Sequence, residues 1–442
     1  MRGPFVCIPI FAVLVAAACG GASSDAVPDA GTNPDAGTIP SRPAGPSGLP
    51  CDVEAVLSAN CWECHSFPPA YGAPMPLMNH DDLVAPAKSD PSKKVHELVV
   101  LKTSATDNTR MPPTPREALS AAAQKTLADF SAAGAPKSTE TCGTVKPPDP
   151  GLDVKCTPDL SLAPSKDWEM PADVGDEYVC WGAEIAGSPA KHIAGFVPRV
   201  DNKTIVHHIV LFEAETAYSP EPKPCNSGGS LQWRMVMGWA PGGKGLELPP
   251  DVGFPIKPGG SHYVVQMHYS NTGKLTGQKD KSGFDLCTVQ PRKYEADVMA
   301  FGTQDIDIPP SSTKTMDCSV TARKELVTHD IHVIAAMPHM HKLGTAMTTT
   351  LLPAGGGAEV DLGTVKAWNF GTQAWLPINA TIKAGDVVRT QCTYTNPTGA
   401  PVGFGEKTDE EMCYSFTMYW PRLQGVLGYW SWAAPAAAST CK

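Results

Sequence analysis

Apolar and polar residues along this chain keep two rhythms, and the change falls near residue 150. Before it, Leu119, Ala123, Leu127 and Phe130 recur at helical spacing, which predicts a helix over 116–133. After it the apolar runs are short, alternating and β-branched. They predict strands over 204–212, 262–269, 330–337 and 387–394, the last preceded by a Gly385-Asp386 turn. Strands of this length, separated by Gly and Pro turns, predict antiparallel β-sandwiches, and residues 153–290 and 291–442 give room for two. Two segments carry neither rhythm. Residues 5–18 are one apolar run, too short to span a membrane as a stable helix. Residues 20–50 are Gly, Ser, Ala, Asp and Pro with too little apolar surface to fold, which predicts a flexible tether.

Composition changes this picture in two places. At 442 residues the chain is long enough for two to three domains, and 18% charged residues with 44 Pro and 40 Gly favour strands and turns over long helices. A net charge of −10 argues against nucleic acid, whose binding needs a basic face. The N-terminus addresses the compartment. Arg2 precedes the apolar run, and Ala16-Ala17-Ala18-Cys19 resembles a bacterial lipoprotein cleavage box with Cys19 as the lipidated residue. Ala16 stands where that box usually carries Leu, so plain signal cleavage after residues 1–19 is the other reading. Either way the expectation is an exported protein, periplasmic or anchored at the outer membrane of a Gram-negative bacterium. Of 14 Cys, Cys7 leaves with the signal and Cys19 takes lipid; that many of the remainder in an exported chain implies disulfides.

Cys61-Trp62-Glu63-Cys64-His65 is the c-type haem attachment pattern. Its two thiols have the spacing to bond two haem vinyl groups, and the next residue sets an imidazole under the iron; a redox Cys-x-x-Cys pair is the alternative. Thr109-Arg110-Met111-Pro112-Pro113, ahead of the predicted helix, resembles the segment that delivers the sixth ligand in small class I cytochromes c. That resemblance covers 51–142 and implies a small α-helical cytochrome c-like domain with Met111 as sixth ligand, a pairing suited to electron transfer. Met111 as core filler is the alternative, and His80, in what reads as a solvated Asn79-His80-Asp81-Asp82 turn, is a weaker ligand candidate. Cys51 and Cys142 bracket the unit and are expected to pair. Residues 143–152, including Lys146-Pro147-Pro148-Asp149-Pro150-Gly151, read as a Pro-rich linker.

The second part of the chain carries six candidate copper ligands: His207, His208, His268, His339, His341 and Met412. Imidazole suits copper in both oxidation states, and a thioether selects the soft cuprous form. His339 and His341 are two apart, so on a strand they project from one face. His207 and His208 are adjacent and would point oppositely on a regular strand. Binding one metal needs a twist, a bulge or different ring nitrogens there.

These segments resemble the copper type II, ascorbate-dependent monooxygenases, the family of peptidylglycine alpha-hydroxylating monooxygenase and dopamine beta-hydroxylase. The carriers are His207-His208 in an Ile/Val-rich strand, Gln266-Met267-His268-Tyr269, Pro338-His339-Met340-His341-Lys342-Leu343-Gly344 and Glu411-Met412-Cys413, in that order. The resemblance implies two β-sandwich, jelly-roll-like domains, two copper ions and the pairs Cys180–Cys225, Cys392–Cys413, Cys156–Cys287 and Cys318–Cys441. One family disulfide of the first sandwich has no counterpart here. It also implies hydroxylation of an aliphatic or benzylic C–H bond of a small-molecule substrate by O2. The copper at His339, His341 and Met412 is then the O2 site, and that at His207, His208 and His268 the electron store. Gln266 positions substrate or water, or makes a structural hydrogen bond. His192, His262, His329 and His332 match no motif and are expected to be ordinary surface or hydrogen-bonded histidines.

Met337 stands where the peptide-hydroxylating members carry Arg, and Tyr414 and Phe416 replace polar contacts near Met412, so a more apolar substrate without a carboxylate handle is expected. The haem c would relay electrons from a periplasmic donor, with ascorbate or a cytochrome- or quinol-linked donor as the external reductant. A periplasmic copper-binding electron-transfer cytochrome without oxygenase activity, and an envelope-anchored redox sensor, are the competing readings.

Overall fold

The computed structural model describes residues 46–88, 90–114, 116–142, 154–187, 189–226, 230, 232–271, 274–405, 407–423, 435 and 438–442. The segment with Cys19, the tether up to residue 45 and the linker 143–152 lie outside the described residues. Among those described, no helix is long and apolar enough to cross a membrane.

Four helices build the N-terminal unit: α1 (Cys51–Asn60), α2 (His80–Val84), α3 (Val95–Ser104) and α4 (Ala121–Ala132). Helix α1 opens with Asp52 and Glu54 in its first turn, where the helix dipole favours acids. Helix α4 is shorter than the apolar spacing predicts. The Ser120 hydroxyl accepts the Ala123 N–H (3.2 Å), an N-cap that starts the helix at Ala121 and leaves 116–120 outside it. Asn79-His80-Asp81-Asp82 is also more than a solvated turn: Asn79 and Asp82 form a reciprocal capping box at the start of α2. Leu49, Leu57, Met78, Leu83, Leu127 and Phe130 share one core with Trp62 of the Cys-x-x-Cys-His segment. The fold begins before Cys51, since Ser47, Gly48 and Leu49, expected as the end of the tether, are buried.

The described residues from 154 onward form two mainly antiparallel sandwiches. In the first, one sheet orders its strands Lys223–Pro224, Asp176–Ile185, Ser261–Ser270, Val206–Ala214 and Trp233–Trp239. It faces a six-stranded sheet centred on Lys191–Arg199 and Gly283–Val289. In the second, Asp297–Thr303, Cys413–Trp420, Ile331–His339 and Leu376–Ile382 face Val360–Val365, Gly344–Leu352, Val387–Asn396, Ser312–Thr321 and Thr440–Cys441. All four expected strands are present, with ends within two residues of those expected.

The largest apolar cluster runs through both sandwiches, joining Trp239, Met235 and Met267 of the first to Ala335, Met337 and Phe416 of the second. Gly238 makes this contact possible: a Cβ there would stand 2.9 Å from the Met337 Cε. Beside it lies a buried ion pair, Arg234 Nη1 to Asp297 Oδ2 at 2.7 Å, to which Tyr419 donates its hydroxyl at 3.2 Å. The helical unit adds Tyr71, whose N–H donates to the Lys203 carbonyl (2.9 Å) and whose ring meets Trp239 edge-on at 6.1 Å. All five expected disulfides are formed, Cys51–Cys142 in the helical unit and Cys156–Cys287, Cys180–Cys225, Cys318–Cys441 and Cys392–Cys413 in the sandwiches. Cys61 and Cys64 remain as free thiols.

Candidate copper centre

In the first sandwich the ladder brings His268 directly opposite His208, while the next pair is Tyr269 with Val206. His207 is thus the extra residue of a β-bulge, and this turns its ring to the same side as its neighbour. The three imidazoles converge through Nδ1. His207 Nδ1 lies 3.4 Å from His208 Nδ1, which lies 3.3 Å from His268 Nδ1. Metal–imidazole bonds of about 2.0–2.1 Å hold cis nitrogens roughly 3–3.5 Å apart, so the donor set fits one metal ion. The opposite nitrogen of His268, Nε2, donates to Asp176, which leaves the Nδ1 lone pair for the metal. Tyr178 stacks on His268 at 4.2 Å and 3°, fixing the ring plane from the other side.

In the second sandwich the strand Ile331–His339 ends at His339, so His341 lies just past the strand rather than on it. The pair still meets, with ring centroids 5.3 Å apart and planes at 89°. Here the tautomer is reversed. His339 donates Nδ1–H to Gln373 Oε1 (2.6 Å) and His341 donates Nδ1–H to the Glu410 carbonyl (3.0 Å), so both present Nε2 to a metal. His339 pairs with Tyr414 at the last rung between its strand and Cys413–Trp420. Continued two residues further, that register sets Met412 opposite His341. Glu411 staples the same junction: its carboxylate accepts the backbone N–H of His341 (2.9 Å), Leu343 (2.6 Å) and Met412 (3.3 Å). Burial pushes the Glu411 carboxyl up to about 7 against those three donors. Gly344 is required by packing, since a Cβ there would stand 2.8 Å from both Met340 Cε and Trp368 Cδ1.

Burial disfavours protonation of His207, His208, His339 and His341. It pushes His207 and His339 down to about 3, His208 well below its usual value, and His341 down. Rings with aimed lone pairs are suited to hold a metal, and a thioether such as that of Met412 would favour copper over zinc or a hard cation.

The two sets are neighbours. The Phe370 ring lies 4.8 Å from His207 at 29° and 5.9 Å from His341 at 75°, between a ligand of each set. Asp176, which holds His268, also accepts the Thr408 hydroxyl (2.8 Å) from the loop that leads to Met412. Asp176, Gln373, Glu411, Thr408 and Phe370 were not singled out from sequence. Glu411 had a signal, as an acid beside a ligand; the others sit at no spacing that marks them. Gln266 is 3% exposed and donates its amide N–H to the Asn226 carbonyl (3.0 Å), a structural bond beside the Cys180–Cys225 bridge. The unmatched histidines are engaged elsewhere: His192 accepts the Arg292 N–H, His262 meets Glu184, His329 meets Thr328, and His332 stacks on Trp420.

In the helical unit His65 donates Nδ1–H to the Met75 carbonyl (2.8 Å), which leaves the ring's lone pair on Nε2. Burial pushes the Cys61 thiol up to about 12 and that of Cys64 up to about 11, the opposite of the depressed values of redox-active pairs. The Met111 N–H donates to the Lys102 carbonyl (2.8 Å), which ties its segment to the end of α3. Next to it, Arg110 Nη1 is buried without a hydrogen-bond partner.

One sandwich converges three Nδ1 atoms and the other presents two imidazoles through Nε2 near the Met412 segment, donor chemistry of the kind that suits soft metal ions. The chain belongs to the copper type II ascorbate-dependent monooxygenase family, whose N-terminal domain matches residues 164–276 and whose C-terminal domain matches 294–431, together more than half of the chain. It is 30% identical over 274 residues to dopamine beta-hydroxylase of Bos taurus, covering 56% of this chain and 44% of that protein. It is 29% identical over 248 residues to DBH-like monooxygenase protein 1 of Homo sapiens, covering 50% and 40%. With DBH-like monooxygenase protein 2 of Mus musculus it shares 28% over 271 residues, covering 55% and 43%. The chain thus spans less than half the length of these relatives. Among solved structures, the infectious bursal disease virus VP2 subviral particle aligns with 66% of this chain and 77% of its own at 8% identity and a TM-score of 0.17, too low for a shared fold to be argued.

Proposed function

We propose that the protein hydroxylates a C–H bond of a small molecule, consuming one O2, two electrons and two protons and releasing the alcohol and water. The observation that carries this reading is the split donor set, with three imidazoles through Nδ1 in one sandwich and two through Nε2 beside Met412 in the other. Copper held there would supply O2 activation at the second set and one-electron storage at the first. The residues' own parts follow from their contacts. Asp176 and Gln373 orient His268 and His339, Glu411 holds the His341 turn against Met412, and Phe370 with the apolar sandwich interface excludes water between the sets. Met337 packs in that interface, and Phe416 lies 5.7 Å from His339. This favours an apolar substrate with no carboxylate handle.

The helical unit, in this reading, is a cytochrome c-like electron carrier with haem c bonded at Cys61 and Cys64 and ligated by His65 and Met111. The aimed Nε2 of His65 and the Arg110 Nη1, suited to a haem propionate, support it. Five disulfides support export to an oxidising compartment, with Cys19 as lipid anchor and a periplasmic donor as electron source. The test is O2 uptake by the copper-loaded chain with reductant and candidate substrates. Substrate-dependent uptake that Met412→Leu abolishes is expected. Full metal loading with no uptake under any reductant would leave a copper-binding electron-transfer protein instead. Met111→Leu should slow uptake driven through the haem; unchanged uptake removes the haem from the route.

A further inference from the structure

The loop 366–375, between the strands Val360–Val365 and Leu376–Ile382, touches ligand candidates of both sets. On its copper side Gln373 holds His339, Trp368 donates Nε1–H to the His341 carbonyl (3.2 Å), and Phe370 packs between His207 and His341. Trp375 donates Nε1–H to the Gly238 carbonyl of the first sandwich (2.9 Å). On its other side the loop is gripped by the helical unit. The Thr114 hydroxyl donates to the Ala367 carbonyl, and the Thr372 hydroxyl donates to the Thr114 carbonyl. The grip is reciprocal and spans both shoulders of the loop, with Phe370 at the tip between them.

We propose that Thr114 and Thr372 are positioning residues for the site formed by His339, His341 and Met412, so that the helical unit is part of the copper scaffold. Within the loop, Gly371 N–H donates to Asn369 Oδ1 (2.9 Å) and Gln373 Nε2 donates to the Phe370 carbonyl (3.1 Å). These bonds shape the tip but do not place it against the sandwich. Placement comes from anchors outside the loop, and the Thr114 clasp supplies two of them. Beside the clasp lies a small cavity of about 10 Å³, lined by Thr114, Pro338, Trp368, Thr372 and Gln373 among others. Close-packed atoms transmit displacement instead of absorbing it. A loop released at Thr114 therefore moves the Gln373 acceptor that fixes the His339 tautomer.

The inference rests on the copper assignment and is independent of haem. It is tested on the full chain carrying Thr114→Val and Thr372→Val, which keep shape and remove the hydroxyls. Cuprous ion is titrated against a competing chelator, and the cupric spectrum of the three-histidine site is recorded by electron paramagnetic resonance. Cuprous affinity at the Met412 site is expected to fall about tenfold, the lower end of what loss of an orienting partner costs a metal site. The three-histidine spectrum should be unchanged, and Thr114→Ser with Thr372→Ser should restore the affinity. Wild-type affinity in the valine variant overturns the proposal. So does an equal loss at both sites with a lowered Tm, which marks general packing. If the wild-type chain itself binds fewer than two coppers, the copper assignment fails instead.

Discussion

On a regular strand adjacent side chains alternate, so His207 and His208 reach one point only because the ladder slips there: His268 pairs with His208 and Tyr269 with Val206. Adjacent histidines were legible as a pair and the bulge was named as one way to reconcile them; the choice depends on a partner strand sixty residues away. The orienting groups were less legible. Gln373 is 34 residues from His339 and Asp176 is 92 from His268, separations at which no local pattern marks a contact. Their importance is measurable. Gln373→Leu removes the acceptor that fixes His339 and should lower cuprous affinity at that site by about 10–100-fold, read by chelator competition. Loss below about twofold would show that His339 needs no partner. The buried rings also predict a pH dependence for the metal-free chain. His207 and His339 have folded values near 3 against 6.5 when unfolded, so below 6.5 the unfolded chain binds protons that the folded chain does not. Stability is thus held above pH 6.5 and lost as pH falls toward 3, at up to about 1.4 kcal/mol per pH unit for each such group. A Tm flat from pH 7 to 4 in the metal-free protein would contradict this.

Among elements, strands were the more legible because alternation and β-branching persist over their whole length. The strand Val387–Asn396 begins at the residue expected from its Gly385-Asp386 turn. The helix predicted over 116–133 was overextended because apolar spacing continues back to Leu119, which is buried, while Ser120 caps the helix after it. The short strand Cys413–Trp420 illustrates how an element carries function. It begins at a bridged cysteine, runs beside the strand of His339, and so presents Met412 at the mouth of the second site. Opening Cys392–Cys413 by paired alanine substitution closes off that anchor. It should cost about 3 kcal/mol in denaturant unfolding, as expected for a loop of this length, and weaken cuprous binding more than cupric binding at the three-histidine site. An unchanged cuprous affinity would show that the strand pairing alone fixes Met412.

For the molecule as a whole, two-sandwich architecture followed from short strands and turns, and the candidate ligand sets from four motifs in order. How the parts sit together was not legible, because it depends on pairs such as Gly238 with Met337 and Arg234 with Asp297, which join distant segments with no local signature. Asp297→Ala removes the buried carboxylate that faces Arg234 and Arg422 and should destabilise the chain by about 3–5 kcal/mol in chemical unfolding. A cost under about 1 kcal/mol would show that this ion pair is not what holds the interface. The claim that joins all scales is that one chain holds two copper sites and a haem. It is tested most directly by metal and haem analysis of the purified full-length protein. Two coppers and one covalently bound haem per chain are predicted, falling to one copper when His207 and His208 are replaced by alanine. A single copper in the unaltered protein, or zinc in both sites, would contradict the account.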